Sequence, residues 1–454
     1  MPSGVGPLGF DSETMTQVFP DTIFALSSGL GRAGIAVVRI SGPRALATLN
    51  EVAGKTPLQR HAVVRKIRTR DGQIIDEAMV LYFQGPHSAT GEDIVEFHIH
   101  GAPAVTTLLL KELSEREGLR LADAGEFSKR AFANGKLDLV EVEGLSDLLA
   151  AQGEAQRRLA MRQFLGEASA VYESWRNSVL TALALYEAAI DFSDEDDVAQ
   201  KARASAKPII SDLAVQLIEA LKRSEKYAAV RSGLRLVIAG APNVGKSSLM
   251  NALIGRDAAI VSSLAGTTRD VVQAQLMFEG LPLTVSDTAG LRHETHDEIE
   301  RVGMARAQAA VQDADILVWV KSPDVVETVG PLRKPDVVVQ NKSDLASIRR
   351  QNDFDLAIST QTGAGLSELR DRLKDLVKYR MVGIEDAVVV RQRHITAVQN
   401  SIRLLNECLL WPDREAELVC EDLRRAARYL GEITGHVEVE ELLGKIFSEF
   451  CIGK

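Results

Sequence analysis

The chain reads as a multidomain protein with an N-terminal α+β domain, an α-helical domain and an α/β domain inserted into the helical one. Three observations predict this. At roughly 150 residues per domain, the 454 residues make about three domains. Short alternating apolar runs up to Leu110 give way, after about Lys136, to helical spacing with few glycines. From Leu234 to about Leu376 apolar strands alternate with helices, and helical spacing then returns up to Phe450. Strand–helix alternation implies parallel βαβ units, and such a unit is readily inserted because domain termini lie close together.

The elements follow in order. Residues 1–17 are rich in Gly, Pro and Ser and read as a loose extension. The α+β domain is expected over 18–135, with strands at Ile35 to Ile40, Ala78 to Phe83 and Ile94 to His98, and a helix from Thr106 to Ser114. The first helical segment is expected over 136–232. Phe164, Ala168, Val171, Trp175, Val179, Ala182, Tyr186 and Ile190 step by three and four, the seam of one long helix. The acidic run Asp191, Asp194, Glu195, Asp196 and Asp197 reads as a solvated linker, and a second helix spans Pro208 to Ala228. The α/β domain is expected over 233–380, with strands at Leu234 to Ala239, Leu283 to Ser286, Ile316 to Val320, Val337 to Gln340 and Asp355 to Ile358. Residues 381–454 complete the helical domain.

Composition narrows the classes. Apolar residues are 45% and charged residues 26%, the balance of a globular protein rather than a disordered one. No stretch reaches the roughly 18 apolar residues of a membrane span, and no signal peptide opens the chain, so a cytoplasmic protein without membrane contact is expected. Cys408, Cys420 and Cys451 are too few and too odd in number for a disulfide framework. Cys408 and Cys420 fall in helical patterns and read as core. The net charge of -10 excludes nucleic-acid binding by bulk attraction and leaves room for a local basic patch.

Gly240-Ala-Pro-Asn243-Val244-Gly245-Lys246-Ser247 matches G-x-x-x-x-G-K-[ST] and sits between an apolar strand and the helical run from Ser248 to Leu253. Glycines let backbone N–H groups close around a β-phosphate, and the helix N-terminus adds positive potential. Lys246 is expected on the β- and γ-phosphates and Ser247 on Mg2+. Asp287-Thr288-Ala289-Gly290 ends the next strong strand. An acid there holds Mg2+ through water, and the Gly290 N–H meets the γ-phosphate. Thr268, in Gly266-Thr267-Thr268-Arg269-Asp270, is the natural second magnesium ligand in a loop that orders around the γ-phosphate.

Asn341-Lys342-Ser-Asp344 ends another apolar strand. A carboxylate there accepts from the guanine N1–H and 2-amino group together, a pair that adenine lacks, so Asp344 selects guanine. Ser359 and Thr360 are placed to meet guanine O6 through backbone N–H groups. Together these motifs specify GTP binding and hydrolysis. Leu291 follows Gly290 where Ras-like proteins carry a water-orienting glutamine, so another group must orient the water.

Further residues carry a resemblance. Asn243 in the phosphate loop, the Gly-Thr-Thr-Arg-Asp loop, the C-terminal Cys451-Ile-Gly-Lys454, Gly91-Glu-Asp-Ile-Val-Glu96, Arg39-Ile-Ser-Gly42, Gly125-Glu-Phe-Ser128 and Lys136-Leu-Asp-Leu139 make the chain resemble the MnmE (TrmE) family of tRNA modification GTPases over nearly its whole length. The resemblance implies a folate-binding-like N-terminal domain that forms a homodimer, and a Ras-like P-loop GTPase domain that pairs with its copy when GTP and K+ are bound. It implies a heterotetramer with the flavin-dependent MnmG (GidA), acting on the wobble uridine of certain tRNAs to add an aminomethyl or carboxymethylaminomethyl group at C5.

Residue by residue, the resemblance implies that Asn243 holds potassium with the Ser262 and Leu264 carbonyls and Thr267. It implies Glu300 as the acid that orients water, with Glu298 as the fallback. It implies Arg39, Glu96, Lys136 and Lys454 as the pocket for a tetrahydrofolate derivative. Cys451 reads either as a nucleophile or as an unpaired thiol. His98 and His100 share a strand face but lack a third ligand nearby, which falls short of a metal site. A ribosome-assembly GTPase shares every nucleotide motif, and the N-terminal block and terminal Cys-Ile-Gly-Lys are what distinguish the two.

Overall fold

The computed structural model describes residues 19–29, 31–192, 196–257, 273–278, 280–287, 308–326, 330–345, 353–381, 387–410, 415–436, 446–447, 450 and 453. Among these, the strands form two six-stranded sheets. The chain divides into two compact units, one drawn from Met1–Ser146, Phe164–Tyr172 and Gly431–Lys454, the other from Asp147–Gln163 and Glu173–Leu430.

The first unit holds β1 (Thr22–Leu26), β2 (Ala33–Ser41), α1 (Ala45–Ala53), β3 (Val63–Arg68), β4 (Ile74–Phe83), β5 (Ile94–Gly101), α2 (Pro103–Ser114), β6 (Leu119–Leu121), α3 (Glu126–Ala133) and the start of α4 (Leu139–Ala150). The strand order is β3-β4-β5-β2-β1-β6, antiparallel except for β1 beside β6. Strand alternation sorts the side chains by face. Ala36, Val38, Ile40, Val80, Val95, Phe97 and Ile99 bury against Leu49 and Val52 of α1 and Leu109 and Leu113 of α2. Arg39, Glu96 and His98 lie on the opposite face.

The C-terminal residues return to this unit. Ile446, Phe447 and Phe450 pack with Leu139 and Val142. The Gly453 carbonyl accepts from the Ser27 hydroxyl at 2.8 Å. Gly453 has φ +97, and a Cβ there would lie 2.1 Å from the Leu26 carbonyl oxygen, so only glycine fits.

The second unit contains α5 (Glu154–Phe164), most of α6 (Glu167–Asp191), and α7 (Asp196–Ser232). The expected single seam from Phe164 is interrupted. Gly166, at φ +79, separates α5 from α6, so Phe164 ends the earlier helix and the seam starts at Ala168. The acidic run is also shorter as a linker than expected: Asp196 and Asp197 already belong to α7, whereas residues 193–195 lie outside the described residues. Pro208, expected to open a helix, lies inside α7.

The α/β part runs β7 (Leu234–Gly240), α8 (Lys246–Asp257), β8 (Gln273–Phe278), β9 (Leu281–Asp287), β10 (Ile316–Lys321), β11 (Val337–Gln340), β12 (Leu356–Ala357) and α9 (Leu366–Met381). Its strand order is β12-β11-β10-β7-β9-β8, all parallel except β8 against β9. The antiparallel β8 was not expected from the sequence. The central strands read as unbroken apolar runs because both their faces are covered. Leu236 and Ile238 of β7 enter one core with Leu249, Val285, Val318 and Val339, while Val237 and Ala239 enter another with Leu317 and Trp319. Beyond it come α10 (Gln392–Leu410) and α11 (Ala416–Thr434), where Cys408 and Cys420 are buried as expected.

Candidate functional site

In the strand order, successive connections leave β7 in opposite directions: β8 and β9 lie on one side, β10, β11 and β12 on the other. Ligands of open α/β sheets bind at the C-terminal strand ends beside such a reversal. The expected motifs all map there. The phosphate loop follows β7, Asp287 ends β9 in register with Ile238, and Asn341 follows β11.

The loop has the shape of an anion cradle. Asn243 takes φ +64 and Gly245 φ +93, and α8 starts at Lys246 with the Leu249 N–H donating to the Gly245 carbonyl at 2.9 Å. Lys246 is buried, and its Nζ donates to the carbonyls of Gly240 at 3.0 Å and Ala241 at 2.8 Å. Those contacts satisfy a buried ammonium at the rim of the loop. Val244 is buried, and Ser247 and Ser248 are exposed in the first turn of α8.

The end of β11 is tied to this loop. Asn341 is buried, its Nδ2 donates to the Val244 carbonyl at 3.0 Å, and its Oδ1 accepts from the Thr360 N–H at 3.2 Å. Lys342 Nζ donates to the Asn243 carbonyl at 2.8 Å. Asp344 is exposed, and its Oδ1 accepts from the Ser359 hydroxyl at 2.5 Å, which orients the carboxylate. The N–H groups of Ser359 and Thr360, expected to meet guanine O6, are engaged within the protein here, Ser359 with the Ala364 carbonyl at 2.9 Å and Thr360 with Asn341 at 3.2 Å. Sequence reasoning also missed Asp324, which accepts from Lys342 Nζ at 2.7 Å; no motif spacing marks it.

Ser262, Leu264, Thr267, Thr268, Thr288, Ala289, Gly290, Glu298, Glu300, Cys451 and Lys454 lie outside the described residues, and Asp287 is described by its backbone alone.

In the first unit, Arg39 and Glu96 face each other across β2 and β5. Arg39 Nε donates to Glu96 Oε1 at 2.9 Å, and the Arg39 guanidinium lies 5.8 Å from the Phe127 ring centroid. His98 Nε2 stands 3.1 Å from Glu96 Oε2, whereas His100 turns to Asp76 at 2.8 Å, so the two histidines take separate carboxylates. Lys136 is exposed in the turn after α3, where its N–H donates to the Ala131 carbonyl at 2.8 Å.

A second cluster was not anticipated. Arg130 is fully buried and its guanidinium donates to Glu92 at 3.0 Å, Asp21 at 2.9 Å and Glu126 at 3.0 Å. Ser41 Oγ donates to Glu92 Oε2 at 2.6 Å. Burial raises the Glu92 carboxyl above its ordinary range, and Ser41 and Arg130 only partly offset this. For Asp21 and Glu126 burial is outweighed by their arginine partners, and both are lowered. The cluster joins Arg39-Ile-Ser-Gly42, Gly91 to Glu96 and Gly125 to Ser128. Glutamates inside those segments were the one sequence signal for it.

The chain matches known proteins over most of its length. Residues 22–136 match the family model described as GTP-binding protein TrmE N-terminus, and residues 139–451 match the MnmE helical domain. A tRNA modification GTPase MnmE from Rhizobium johnstonii is 46% identical over 440 residues, 96% of this chain and 99% of that protein. Its counterpart from Brucella canis is 44% identical over 438 residues, with coverage of 96% and 99%. Among solved structures, the G domain of the T. maritima FeoB iron transporter is matched with 23% identity and a TM-score of 0.24, covering 32% of this chain and 98% of that one. With both family models in their expected order and relatives alike from end to end, the chain belongs to the MnmE family of tRNA modification GTPases.

Proposed function

We propose that this chain hydrolyses GTP in a potassium-dependent way. With a flavin-dependent partner of the MnmG kind, it adds an aminomethyl or carboxymethylaminomethyl group to C5 of the wobble uridine in certain tRNAs. The observation that carries the reading is 46% identity to a tRNA modification GTPase across 96% of the chain.

The site's chemistry supports the GTPase part. A Cβ at Gly245 would lie 2.3 Å from Asn341 Nδ2, so a glycine is what lets the loop close onto the end of β11. Lys246, held by two loop carbonyls, needs only a side-chain rotation to meet the β- and γ-phosphates. Ser247 and Thr268 would hold Mg2+, with Asp287 acting on it through water. Asn243 would hold K+ with the Ser262 and Leu264 carbonyls and Thr267, and the ion would supply positive charge to offset the negative charge that develops on the phosphates. Asp344 accepts the guanine donor pair with the carboxylate oriented by Ser359, and Glu300 orients the attacking water.

In the first unit, Arg39, Glu96, Lys136 and Lys454 hold a tetrahydrofolate derivative. Glu96 is half-buried, and its carboxyl oxygens could accept from a pterin amino group, although both are already engaged and would be shared. Cys451 is the thiol available to that chemistry. The open face of the first sheet sets Val37, His98, Met79 and Val64 in one cross-strand row with Val64 and Met79 exposed, which supports homodimer formation there. Among the described residues no helix is long and apolar enough to cross a membrane.

Mass analysis of wobble uridines in tRNA from a strain lacking this protein tests the proposal. The C5 substituent should disappear and return with the intact gene. An unchanged modification profile would overturn it.

A further inference from the structure

Asp324 stands just past the end of β10, whose last residue is Lys321. Its Oδ1 accepts from the hydroxyl of the buried Ser322, and its Oδ2 accepts from Lys342 Nζ at 2.7 Å. The same ammonium donates to the Asn243 carbonyl at 2.8 Å. Lys342 and Asn243 both hold left-handed backbone, at φ +57 and +64. Residues other than glycine keep that conformation where surrounding contacts impose it, often at binding sites. One lysine head is thus clamped between the phosphate loop and a carboxylate, with its apolar stem spanning from the end of β11 to the loop.

We propose that Asp324 is a positioning residue for nucleotide binding: it holds the Lys342 ammonium on the phosphate loop, so that the lysine stem forms a fixed wall of the base subsite. The inference rests on the guanine-nucleotide reading of this site and deepens it. A stem carrying a fixed head presents methylene surface without paying rotamer entropy when the base arrives. The Asp324 carboxyl lies below its ordinary range, chiefly through the Lys342 hydrogen bond and then that of Ser322. The plain alternative is a partly exposed ion pair that contributes almost nothing. The two differ in whether the pair's loss appears in nucleotide affinity.

The test uses the full chain and titrations with fluorescent GDP and a non-hydrolysable GTP analogue. Asp324→Ala should weaken both nucleotides about three- to tenfold, the range for losing one charge-assisted contact at a partly exposed site. KM for GTP should rise by a similar factor, with kcat shifted less than about twofold, because the loss is one of binding shared by ground and transition states. Asp324→Glu should restore most of the affinity. Preference for GTP over xanthosine triphosphate should persist, since Asp344 is intact. In the Lys342→Ala background, Asp324→Ala should cost nothing more.

Unchanged affinity in Asp324→Ala, or losses that add fully in the double variant, would overturn the positioning role and leave the GTPase reading standing. If the unaltered chain bound neither nucleotide, the GTPase reading itself would fall and this inference with it.

Discussion

Gly245 and Asn341 approach so closely that a Cβ on the glycine would lie 2.3 Å from Asn341 Nδ2. The asparagine belongs to the strand end proposed to read the base, the glycine to the loop proposed to wrap phosphate, and the Asn341 amide ties them by donating to the Val244 carbonyl at 3.0 Å. The end of β11 and the loop are therefore one packed element, joined a second time by Lys342 and the Asn243 carbonyl.

Gly245→Ala should lower GTP affinity by more than about tenfold, since it adds a clash to a backbone at φ +93 that alanine disfavours. Asn341→Ala removes one buried donor and one acceptor and leaves the Thr360 N–H without its partner, a cost of about 1–3 kcal/mol. Nucleotide titration checks both. An alanine at 245 that binds GTP normally would show that the close approach of Gly245 to Asn341 is not needed for binding.

Asp344→Asn should shift preference from GTP toward xanthosine triphosphate, because one acceptor becomes a donor. Ser359→Ala, which removes the 2.5 Å hydrogen bond that orients the carboxylate, should weaken GTP by a smaller factor and leave base preference in place. Competition binding distinguishes the two effects. An unshifted preference in Asp344→Asn would count against its role.

Hydrolysis should run faster in potassium than in sodium at equal ionic strength, and Asn243→Ala should lose the difference while retaining nucleotide through Lys246. Glu300→Ala should slow turnover on the order of 10²-fold with affinity nearly intact, as for other positioned catalytic groups. Equal rates in the two salts would refute the cation site alone. Parallel losses of binding and turnover at Glu300 would point to a structural role.

Arg130→Met leaves Glu92, Asp21 and Glu126 without their shared cation and should destabilise the first unit by about 3–5 kcal/mol. Hydrogen exchange of β1 and α3 amides reads this locally. The acid response has a definite sign. Asp21 and Glu126 are depressed in the folded chain because their arginine partners outweigh burial, so their stabilisation is present above the ordinary carboxylate range and lost as pH falls through the folded values. Glu92 is raised by burial, so its contribution is present below its unfolded value and lost as pH rises through the folded one. The net trend should be a loss of protection, measured against the intrinsic exchange rate at each pH, between about pH 5 and pH 3, with a shallower dependence in Glu126→Gln. An unchanged profile in that variant would remove the network from the acid response.

The sequence by itself determined the local machinery. A strand, a glycine-bearing loop and a helix start are contiguous, so the spacing from Gly240 to Ser247 is enough to specify a phosphate cradle, and an apolar run ending in Asn341 to Asp344 is enough to place a carboxylate at a strand end. Only the tertiary structure decided what sits beside these groups. Arg130 meets Asp21 across a separation of 109 residues and Glu92 across 38, partners chosen by the register of β1 and the seat of α3 rather than by any local period. Arg39 pairs with Glu96 because β2 and β5 are antiparallel in that register. The Ser359 and Thr360 N–H groups go to Ala364 and Asn341 because the following turn and the buried amide are brought beside them. Asp324 reaches Lys342 because β10 and β11 are parallel neighbours, so their C-terminal ends open onto the same site. Local hydrogen-bond geometry can be read along the chain; neighbours brought in by sheet order cannot, because sheet order depends on how all the apolar faces are buried together.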